Sequence, residues 1–275
     1  MSKTVLLTGA TGFLGSHLLK RLLAEKYRVV VLKRSFSDIW RIKDQLAQVK
    51  AYNLDEIKNL NTPFKENNIE FVIHTATTYG RRGEKTSEVV RTNLNLSLEL
   101  LETATFFNTD TFFNTDTLQY DYLNDYTLSK KHFVDWGKSF ANANKIKFIN
   151  LKIEHMYGPM DDETKFVPWI IQQLMNNVSE IKLTDGAQKR DFIFIDDVVN
   201  AYLVVLTSIK GGGFQEFEVG TGVSIRLKDF IFEIFKTVEH VKKEKLRTHL
   251  NFGAHSKRKG EPEEIKANVT ELLNL

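Results

Sequence analysis

The sequence predicts an α/β fold: a doubly wound parallel sheet with a smaller C-terminal domain. Two observations carry this prediction. Short apolar runs alternate with helix-like segments through the first half of the chain, and such alternation favours parallel strands joined by helices on both faces of the sheet. A glycine-rich segment, residues 8–15, lies between the first apolar run and the first helix-like segment, where doubly wound sheets place a ligand-binding turn.

The predicted elements follow from the periodicity of apolar residues. Strands are predicted at 4–7, 27–32, 49–52, 71–74 and 112–117, and helices at 16–26, 38–48, 55–67, 85–107 and 126–143. Residues 106–111 and 112–117 form a direct repeat; we assign the second copy to the fifth strand and the first to the end of the preceding helix and its loop. The predicted nucleotide-binding domain spans 1–155 with about 190–210, and the second domain spans 156–189 with 211–275.

The glycine-rich segment has the chemistry of a dinucleotide site. Glycines at three positions allow a tight turn, close approach of the backbone to a pyrophosphate, and close packing of helix on strand. The N-terminus of the helix that follows offers free N–H groups to the anion. The residues that we assign to this Rossmann-type contact are Gly9, Thr11, Gly12, Phe13, Leu14 and Gly15.

The end of the second strand indicates which nucleotide binds. Lys33, Arg34 and Ser35 stand there, where NAD-selective sites carry a carboxylate for the ribose 2′-hydroxyl. Two cations and a hydroxyl suit a 2′-phosphate, because a guanidinium meets phosphate oxygens through paired hydrogen bonds. We predict NADPH as the cofactor, with NAD less favoured; a solvated basic loop is the alternative explanation of these residues.

Further cofactor contacts are expected where the later strands end, because ligands of parallel sheets bind beyond the carboxyl ends of the strands. Asn53 and Leu54 follow the third strand, and residues 75–80 follow the fourth. The long helix after the fourth strand carries Asn93. The residues that we add to the cofactor site are Asn53, Leu54, Thr75, Ala76, Thr77 and Asn93.

Composition narrows the remaining classes. Of 275 residues 42% are hydrophobic, enough for a sizeable core, and the net charge of +3 does not argue for nucleic acid or membrane as a partner. The lack of cysteine excludes disulfides and thiolate chemistry, and the seven histidines show no metal-ligand spacing. No apolar run approaches the roughly 20 residues of a membrane span, and no signal-peptide pattern precedes the glycines. We expect a cytoplasmic protein without a metal centre.

Tyr126 and Lys130 are the second informative pattern. Residues four apart share one face of a helix, so the phenol would lie near the ammonium. A nearby cation lowers the pKa of a phenol, which would make Tyr126 a usable proton donor or acceptor near neutral pH. A surface pair on a helix is the alternative; the glycine segment and the threonine-rich strand end upstream favour the functional interpretation.

Together these residues resemble the extended short-chain dehydrogenase/reductase family, the NAD-dependent epimerases and dehydratases, over essentially the whole chain. The motifs that carry the resemblance are residues 9–15, 114–117, 126–130, 157–159, 190–199 and 219–225. The resemblance implies a homodimer through a four-helix bundle built from helices 85–107 and 126–143. Apolar positions that would supply this interface, or equally the intramolecular core, are Leu94, Leu98, Leu101, Phe133 and Trp136.

The resemblance also implies a mechanism. Tyr126 would exchange a proton with a sugar oxygen while the nicotinamide exchanges hydride with the same carbon, and Lys130 would hold the nicotinamide ribose. A threonine at the strand end would hydrogen-bond the reacting oxygen; Thr115 and Thr117 are both candidates, with Asp116 between them.

The strand end bears on the reaction type. Dehydratases of the family follow the aspartate with a glutamate base, whereas Thr117 cannot act as that base at neutral pH. Epimerases retain NAD, whereas the cations at 33–34 favour an exchangeable NADPH. We predict net reduction of the C4 ketone of a nucleotide-linked hexose. The alternatives are a nucleotide-sugar 4-epimerase with tightly bound NAD and a non-catalytic NADPH-sensing protein of the same fold.

The same resemblance implies which sugar nucleotide binds and which residues contact it. Residues 78–82, 151–158, 182–184 and 188–192 resemble the CDP-paratose and CDP-abequose synthases, which reduce CDP-linked 3,6-dideoxy-4-ketohexoses with NADPH for O-antigen synthesis. His155 stands where many members carry an asparagine at the nicotinamide, with a hydrogen-bonded pocket histidine as the alternative; a loose basic loop is the alternative for Arg258. Predicted substrate contacts are Tyr79, Arg81, Glu154, Phe166, Val167, Lys182, Leu183, Arg190 and Arg258.

Overall fold

The structure, a computed structural model, describes residues 3–119, 121–257 and 260–275. In chain order the strands are β1 Thr4–Thr8, β2 Arg28–Lys33, β3 Lys50–Asn53, β4 Phe71–His74, β5 Thr111–Thr117, β6 Lys147–Ile153, β7 His155–Tyr157, β8 Glu180–Leu183, β9 Lys189–Arg190, β10 Phe192–Phe194, β11 Phe214–Val219, β12 Ile225–Arg226, β13 His249–Phe252 and β14 Glu264–Ile265. The helices are α1 Phe13–Ala24, α2 Asn61–Glu66, α3 Thr86–Val90, α4 Leu96–Phe106, α5 Asp125–Asn142, α6 Phe166–Met175, α7 Ile195–Ser208, α8 Leu227–Lys242 and α9 Thr270–Leu273.

Seven parallel strands form the main sheet, in the order β11-β6-β5-β4-β1-β2-β3. The chain runs outward from β1 to β3, then crosses to the other side of β1 and continues through β4, β5 and β6. The strand order therefore reverses between β1 and β4, and a crevice opens beyond their carboxyl ends. The predicted α/β class is confirmed.

Two apolar cores flank this sheet. One packs α1 and α7 against Leu7 and Phe113, and the other packs α4 and α5 against Leu6 and Phe112. Because side chains alternate along a strand, Asp116 follows Phe112 toward α5, whereas Thr115 follows Phe113 toward α7.

The repeat lies as predicted: its first copy starts on the last residue of α4 and its second copy lies within β5. The helix predicted at 38–48 is wrong, and the helix predicted at 55–67 is shorter than predicted. Residues 38–48 form turns with a single 3₁₀ turn at Leu46–Gln48, and 55–67 is helical only over α2. Turn chemistry explains both, because the Asp38 carboxylate accepts from the N–H of Trp40 and the Asn59 side-chain oxygen accepts from the N–H of Asn61.

The long helix predicted at 85–107 is α3 followed by α4, with a π-helical turn at Arg91–Asn95 between them. Such turns are frequent at functional sites. Here the turn directs Asn93 inward, where it is fully buried.

The remaining elements form smaller sheets, β12-β9-β14, β13-β8 and β10-β7. A third core joins α6, α8 and β8 through Ile170, Ile231 and Ile181. β11 lies in the main sheet, although the sequence assigns 211–275 to the second domain. The division into two domains stays a prediction.

The residues predicted for a dimer interface divide into two groups. Leu101 and Phe133 are fully buried in the chain's own core, and Leu94 and Leu98 pack against it. Trp136 on α5 is 49% exposed and is the member free to meet a second copy. Over the described ranges, no helix is long and apolar enough to cross a membrane, and no group of three or more candidate side chains could hold a metal ion.

Candidate active site

The glycine turn is built as a dinucleotide cradle. Gly9 has φ +69°, and a Cβ there would lie 2.6 Å from the N of Ala76; a Cβ on Gly15 would overlap the carbonyl oxygen of Gly9. The turn is closed by a 2.9 Å hydrogen bond from Gly12 N to Gly9 O. No side chain caps α1, whose N-cap is Gly12. Its first-turn N–H groups, beginning with those of Phe13 and Leu14, therefore remain available to an anion.

The end of β2 is arranged differently from the prediction. Both donors of Ser35 are taken by Asp55, with 2.8 Å between Ser35 N and Asp55 Oδ1 and a short contact from the hydroxyl to Oδ2. Lys33 Nζ donates to Asn53 Oδ1 at 2.6 Å. Arg34 stays exposed, stacked on the Phe36 ring at 4.8 Å. Ser35 as a phosphate ligand stays a prediction; in this structure the Asp55 carboxylate occupies its donors.

The end of β4 is held by a buried polar network. His74 links Thr8 Oγ1 and Ser97 Oγ, each at 2.8 Å, and burial lowers the pKa of His74 to about 3. Thr8 Oγ1 accepts from the N–H of Ala76 at 3.2 Å, and Thr75 Oγ1 donates to the carbonyl of Thr8 at 2.8 Å. The predicted residues Thr75 and Ala76 therefore sit directly on the glycine turn.

Asn93 joins three elements. Its Oδ1 accepts from Thr77 Oγ1 at 3.0 Å and from Thr78 N at 2.8 Å, and its Nδ2 donates to Thr78 O and to Ser129 Oγ at 3.0 Å. Asn93 thus fixes the loop after β4 against α5, the helix that carries Tyr126 and Lys130. Its role in the described chain is to position that loop.

Tyr126 and Lys130 lie in the first turns of α5, which is capped by Asn124 accepting from Thr127 N at 3.0 Å. The ring of Tyr79 packs on that of Tyr126 with 4.7 Å between centroids, and the Arg81 guanidinium lies 5.1 Å from the Tyr79 ring. The structure therefore brings two predicted substrate residues to the predicted acid/base.

The pKa of Tyr126 is opposite to the prediction. Burial raises it well above its ordinary value, Tyr79 and Asp116 raise it further, and Arg81 opposes them. The lowering expected from Lys130 does not occur, because desolvation of the phenolate outweighs nearby positive charge. Tyr126 is a protonated phenol at neutral pH.

Lys130 is a buried cation, 2% exposed, and none of the described residues forms a hydrogen bond or ion pair with it. Burial lowers the pKa of its ammonium to about 8, Asp116 opposes this shift, and Lys131 adds to it. An unpaired buried ammonium beside a tyrosine is a donor for an acceptor group of a ligand, as the ribose contact of a dinucleotide requires.

The three candidate catalytic residues at the end of β5 differ in burial and in hydrogen-bond partners. Thr115 is half-buried and its Oγ1 lies 2.6 Å from the Tyr202 hydroxyl. Thr117 is 6% exposed and accepts from Gln119 N at 3.2 Å. Asp116 is 3% exposed; its Oδ2 accepts from Lys131 and Asn150, and its Oδ1 is buried without a partner among the described residues.

The predicted substrate residues of the C-terminal region divide into four locations. Arg190 is 5% exposed and pairs with Glu261 at 2.6 Å. Glu154 Oε2 contacts His155 Nδ1 at 2.8 Å, while Glu154 Oε1 is buried and unpartnered in the described chain. Phe166 and Val167 begin α6, and Lys182 and Leu183 end β8, where Lys182 is exposed and Leu183 is buried. Arg258 lies outside the described residues.

Several residues of this region escaped the sequence analysis. Asp55 and Tyr202 carry no local signal, because their partners lie 20 and 87 residues away. Lys131 was visible in the doublet with Lys130, and Glu261 closes the basic segment 257–261. Arg41 also reaches the glycine turn, with its Nη1 3.4 Å from Thr11 O.

A glycine turn before an uncapped helix, together with a tyrosine–lysine pair in the first turns of α5, defines a dinucleotide-dependent oxidoreductase of the extended short-chain type. Residues 5–220 match the NAD dependent epimerase/dehydratase family, and the chain belongs to that family.

Two relatives are similar to this chain over nearly its whole length. The CDP-abequose synthase of Salmonella muenchen is 37% identical over 100% of this chain and 92% of its own length. The dTDP-4-dehydro-6-deoxyglucose reductase of Escherichia coli is 26% identical over 98% of this chain and 91% of its own length. The structure of the Thermotoga maritima UDP-glucose 4-epimerase with UDP-glucose superimposes with a TM-score of 0.82 at 21% identity, over 98% of this chain and 91% of that one; at this identity the likeness concerns the fold.

Proposed function

We propose that this protein reduces the C4 ketone of a nucleotide-linked hexose with NADPH. The preferred substrate is a CDP-linked 4-keto-6-deoxy or 3,6-dideoxy hexose of surface-polysaccharide synthesis. The observation that carries the proposal is the protonated Tyr126 one helical turn before Lys130, a buried ammonium that has no partner among the described residues. The full-length similarity to an enzyme named CDP-abequose synthase supports the choice of substrate.

NADPH, when bound, supplies a hydride to C4. Tyr126 donates its phenolic proton to the ketone oxygen, so that carbon gains hydride, oxygen gains a proton, and the product is an alcohol. The raised pKa of Tyr126 suits this direction, because the phenol starts as an acid.

Two neighbours complete the proposed machinery. Lys130 holds the nicotinamide ribose through its ammonium, and Thr115 holds the C4 oxygen. We assign Thr115 rather than Thr117 because Thr115 is the more accessible of the two: it is half-buried, whereas Thr117 is 6% exposed. Each hydroxyl has one partner, the Tyr202 hydroxyl for Thr115 and the Gln119 backbone for Thr117. Asp116 forms an ion pair with Lys131 at 2.9 Å, and the residue after it, Thr117, cannot act as the base that a dehydratase needs at that position.

The cofactor proposal rests on Arg34. It is the exposed cation at the end of β2, with no carboxylate of the described residues within ion-pair distance, and a guanidinium there suits a 2′-phosphate. Tyr79 and Arg81, which stack beside Tyr126, are proposed to line the sugar pocket. Arg190 is proposed to face the substrate diphosphate. The homodimer likewise remains a proposal.

The test follows NADPH absorbance with the 4-keto product of a CDP-glucose dehydratase and its 3-deoxygenating partner. Wild type should oxidise NADPH, and Tyr126→Phe should lower kcat about 10²–10⁴-fold with NADPH affinity unchanged. Tyr27→Phe, a tyrosine at the amino end of β2, is the matched control and should retain activity.

Product NMR would then name the sugar. Turnover with a dTDP- or UDP-linked ketone, and none with the CDP-linked one, would keep the chemistry and discard the nucleotide. Tightly bound NAD in the purified protein, with interconversion of C4 epimers, would instead establish the epimerase.

A further inference from the structure

Arg41 connects three segments around the glycine turn. It lies between β2 and β3, its Nε donates to the carbonyl of Met160 at 2.9 Å, and its Nη1 donates to the carbonyl of Thr11 at 3.4 Å. The guanidinium stacks on the indole of Trp40, 4.4 Å from the ring centroid. Thr11 immediately precedes Gly12, the N-cap of α1, so the cation sits next to the uncapped end of that helix.

The guanidinium has unused donors. Of the five N–H groups that an arginine carries, one is used by Met160 and one by Thr11. In the part of the chain that the structure describes, no carboxylate lies within ion-pair distance, although Asp161, Asp162 and Asp38 act on it from further away. Burial lowers the pKa of Arg41, which reports a partly desolvated cation. An anion at the α1 N-terminus would therefore have two sources of donors close by, the first-turn N–H groups of the helix and the guanidinium of Arg41.

The backbone that Arg41 contacts is strained. Met160 has φ +67°, a left-handed conformation that non-glycine residues rarely adopt. Its carbonyl is held by Arg41, and the next N–H, that of Asp161, donates to Gly158 O at 3.4 Å. Strain of this kind persists where the surroundings impose it, and it concentrates at ligand clamps and active sites.

We propose that Arg41 binds the diphosphate of the dinucleotide and holds it against the N-terminus of α1. A planar guanidinium meets two phosphate oxygens in parallel, while the helix terminus supplies backbone N–H groups. The assignment rests on the proposed function for the presence of a dinucleotide, but not on the choice of NADPH over NADH or on the identity of the sugar.

Calorimetric titration with NADPH, NADH, ADP and adenosine 2′-monophosphate tests the assignment. Arg41→Met should weaken NADPH, NADH and ADP by a similar factor, roughly 10- to 100-fold for a lost charged hydrogen bond, and should leave the 2′-monophosphate unchanged. Arg41→Lys keeps the positive charge but not the planar guanidinium, and it should lose less affinity than Arg41→Met. Arg34→Met should give the reverse pattern, weakening NADPH and the 2′-monophosphate only. Arg21→Met, an exposed arginine paired with Glu25 on α1, should change none of them.

Unchanged NADH and ADP affinities in Arg41→Met would overturn the assignment, as would a loss confined to NADPH. A merely structural clamp would lower the melting temperature of the nucleotide-free variant while ADP still stabilised it as much as wild type, which also counts against the proposal. If wild type prefers NADH and Arg34→Met has no effect, the NADPH proposal fails, yet the NADH and ADP titrations still decide the role of Arg41.

Discussion

Lys131 Nζ lies 2.9 Å from Asp116 Oδ2 and 2.6 Å from the carbonyl of Thr117. The residue after Lys130 on α5 thus anchors the end of β5, and Asn150 holds the same carboxylate oxygen at 3.2 Å. The Asp116 side chain is 1% exposed, so its charge acts through a medium that screens poorly. The pair places one negative and one positive charge near the ammonium of Lys130.

We expect the two members of this pair to shift the activity profile in opposite directions. Burial lowers the pKa of Lys130 to about 8, Asp116 opposes this shift and Lys131 adds to it, so activity that needs the ammonium is lost as pH rises through that value. Asp116→Asn should move this basic limb of kcat/KM down by about one unit, and Lys131→Met should move it up. If both substitutions moved the basic limb in the same direction, or if neither moved it, the pair would not control the pKa of Lys130.

Asp55 should disfavour the 2′-phosphate. Its carboxylate occupies both donors of Ser35, and those hydrogen bonds lower the pKa of Asp55, so it is charged at neutral pH. Asp55→Asn removes the charge and should tighten NADPH binding about 3- to 10-fold while NADH changes little. Asp135→Asn, an exposed aspartate on α5, is the control. Weaker NADPH binding by Asp55→Asn would mean that Asp55 organises the turn instead.

Gly15 has no room for a side chain. A Cβ there would overlap the Gly9 carbonyl, whereas one on Gly212 meets nothing within 4 Å. Gly15→Ala must push α1 away from β1, and overpacking of this kind costs about 1–3 kcal/mol. We expect a lower melting temperature and lost dinucleotide binding in Gly15→Ala, and wild-type values for both in Gly212→Ala. Normal binding by Gly15→Ala would contradict the packing described for the turn.

His74 should make the fold acid-sensitive. Burial lowers its pKa to about 3 from 6.5, so the folded state holds it neutral while the unfolded chain takes up a proton below pH 6.5. Stability from this residue is therefore present above pH 6.5 and falls as pH drops, by about 2 kcal/mol between pH 7 and pH 5. Urea unfolding at both pH values should show a smaller loss for His74→Gln than for wild type; equal losses would exclude His74.

Local sequence signals were sufficient for the elements around the turn. β1, the glycine turn, α1 and the second repeat copy in β5 follow from periodicity and glycine spacing, because each depends on neighbours within a few residues. The helix predicted at 38–48 and the first half of the helix predicted at 55–67 do not form, because side-chain contacts compete with the helix there. Asn and Asp side chains in those segments bond to nearby backbone and favour turns, and part of the first segment is drawn toward Met160 by Arg41.

The sequence by itself determined the α/β class, the dinucleotide turn and the tyrosine–lysine pair, since each is written in residues close together along the chain. The tertiary structure alone decided the charges around them. Burial raises the pKa of Tyr126, so that it is a proton donor at neutral pH. Asp55 accepts a hydrogen bond from the backbone of Ser35, and Lys131 donates one to Asp116. Desolvation and long-range pairing depend on which elements the fold brings together, and the spacing of residues along the chain does not encode which elements those are.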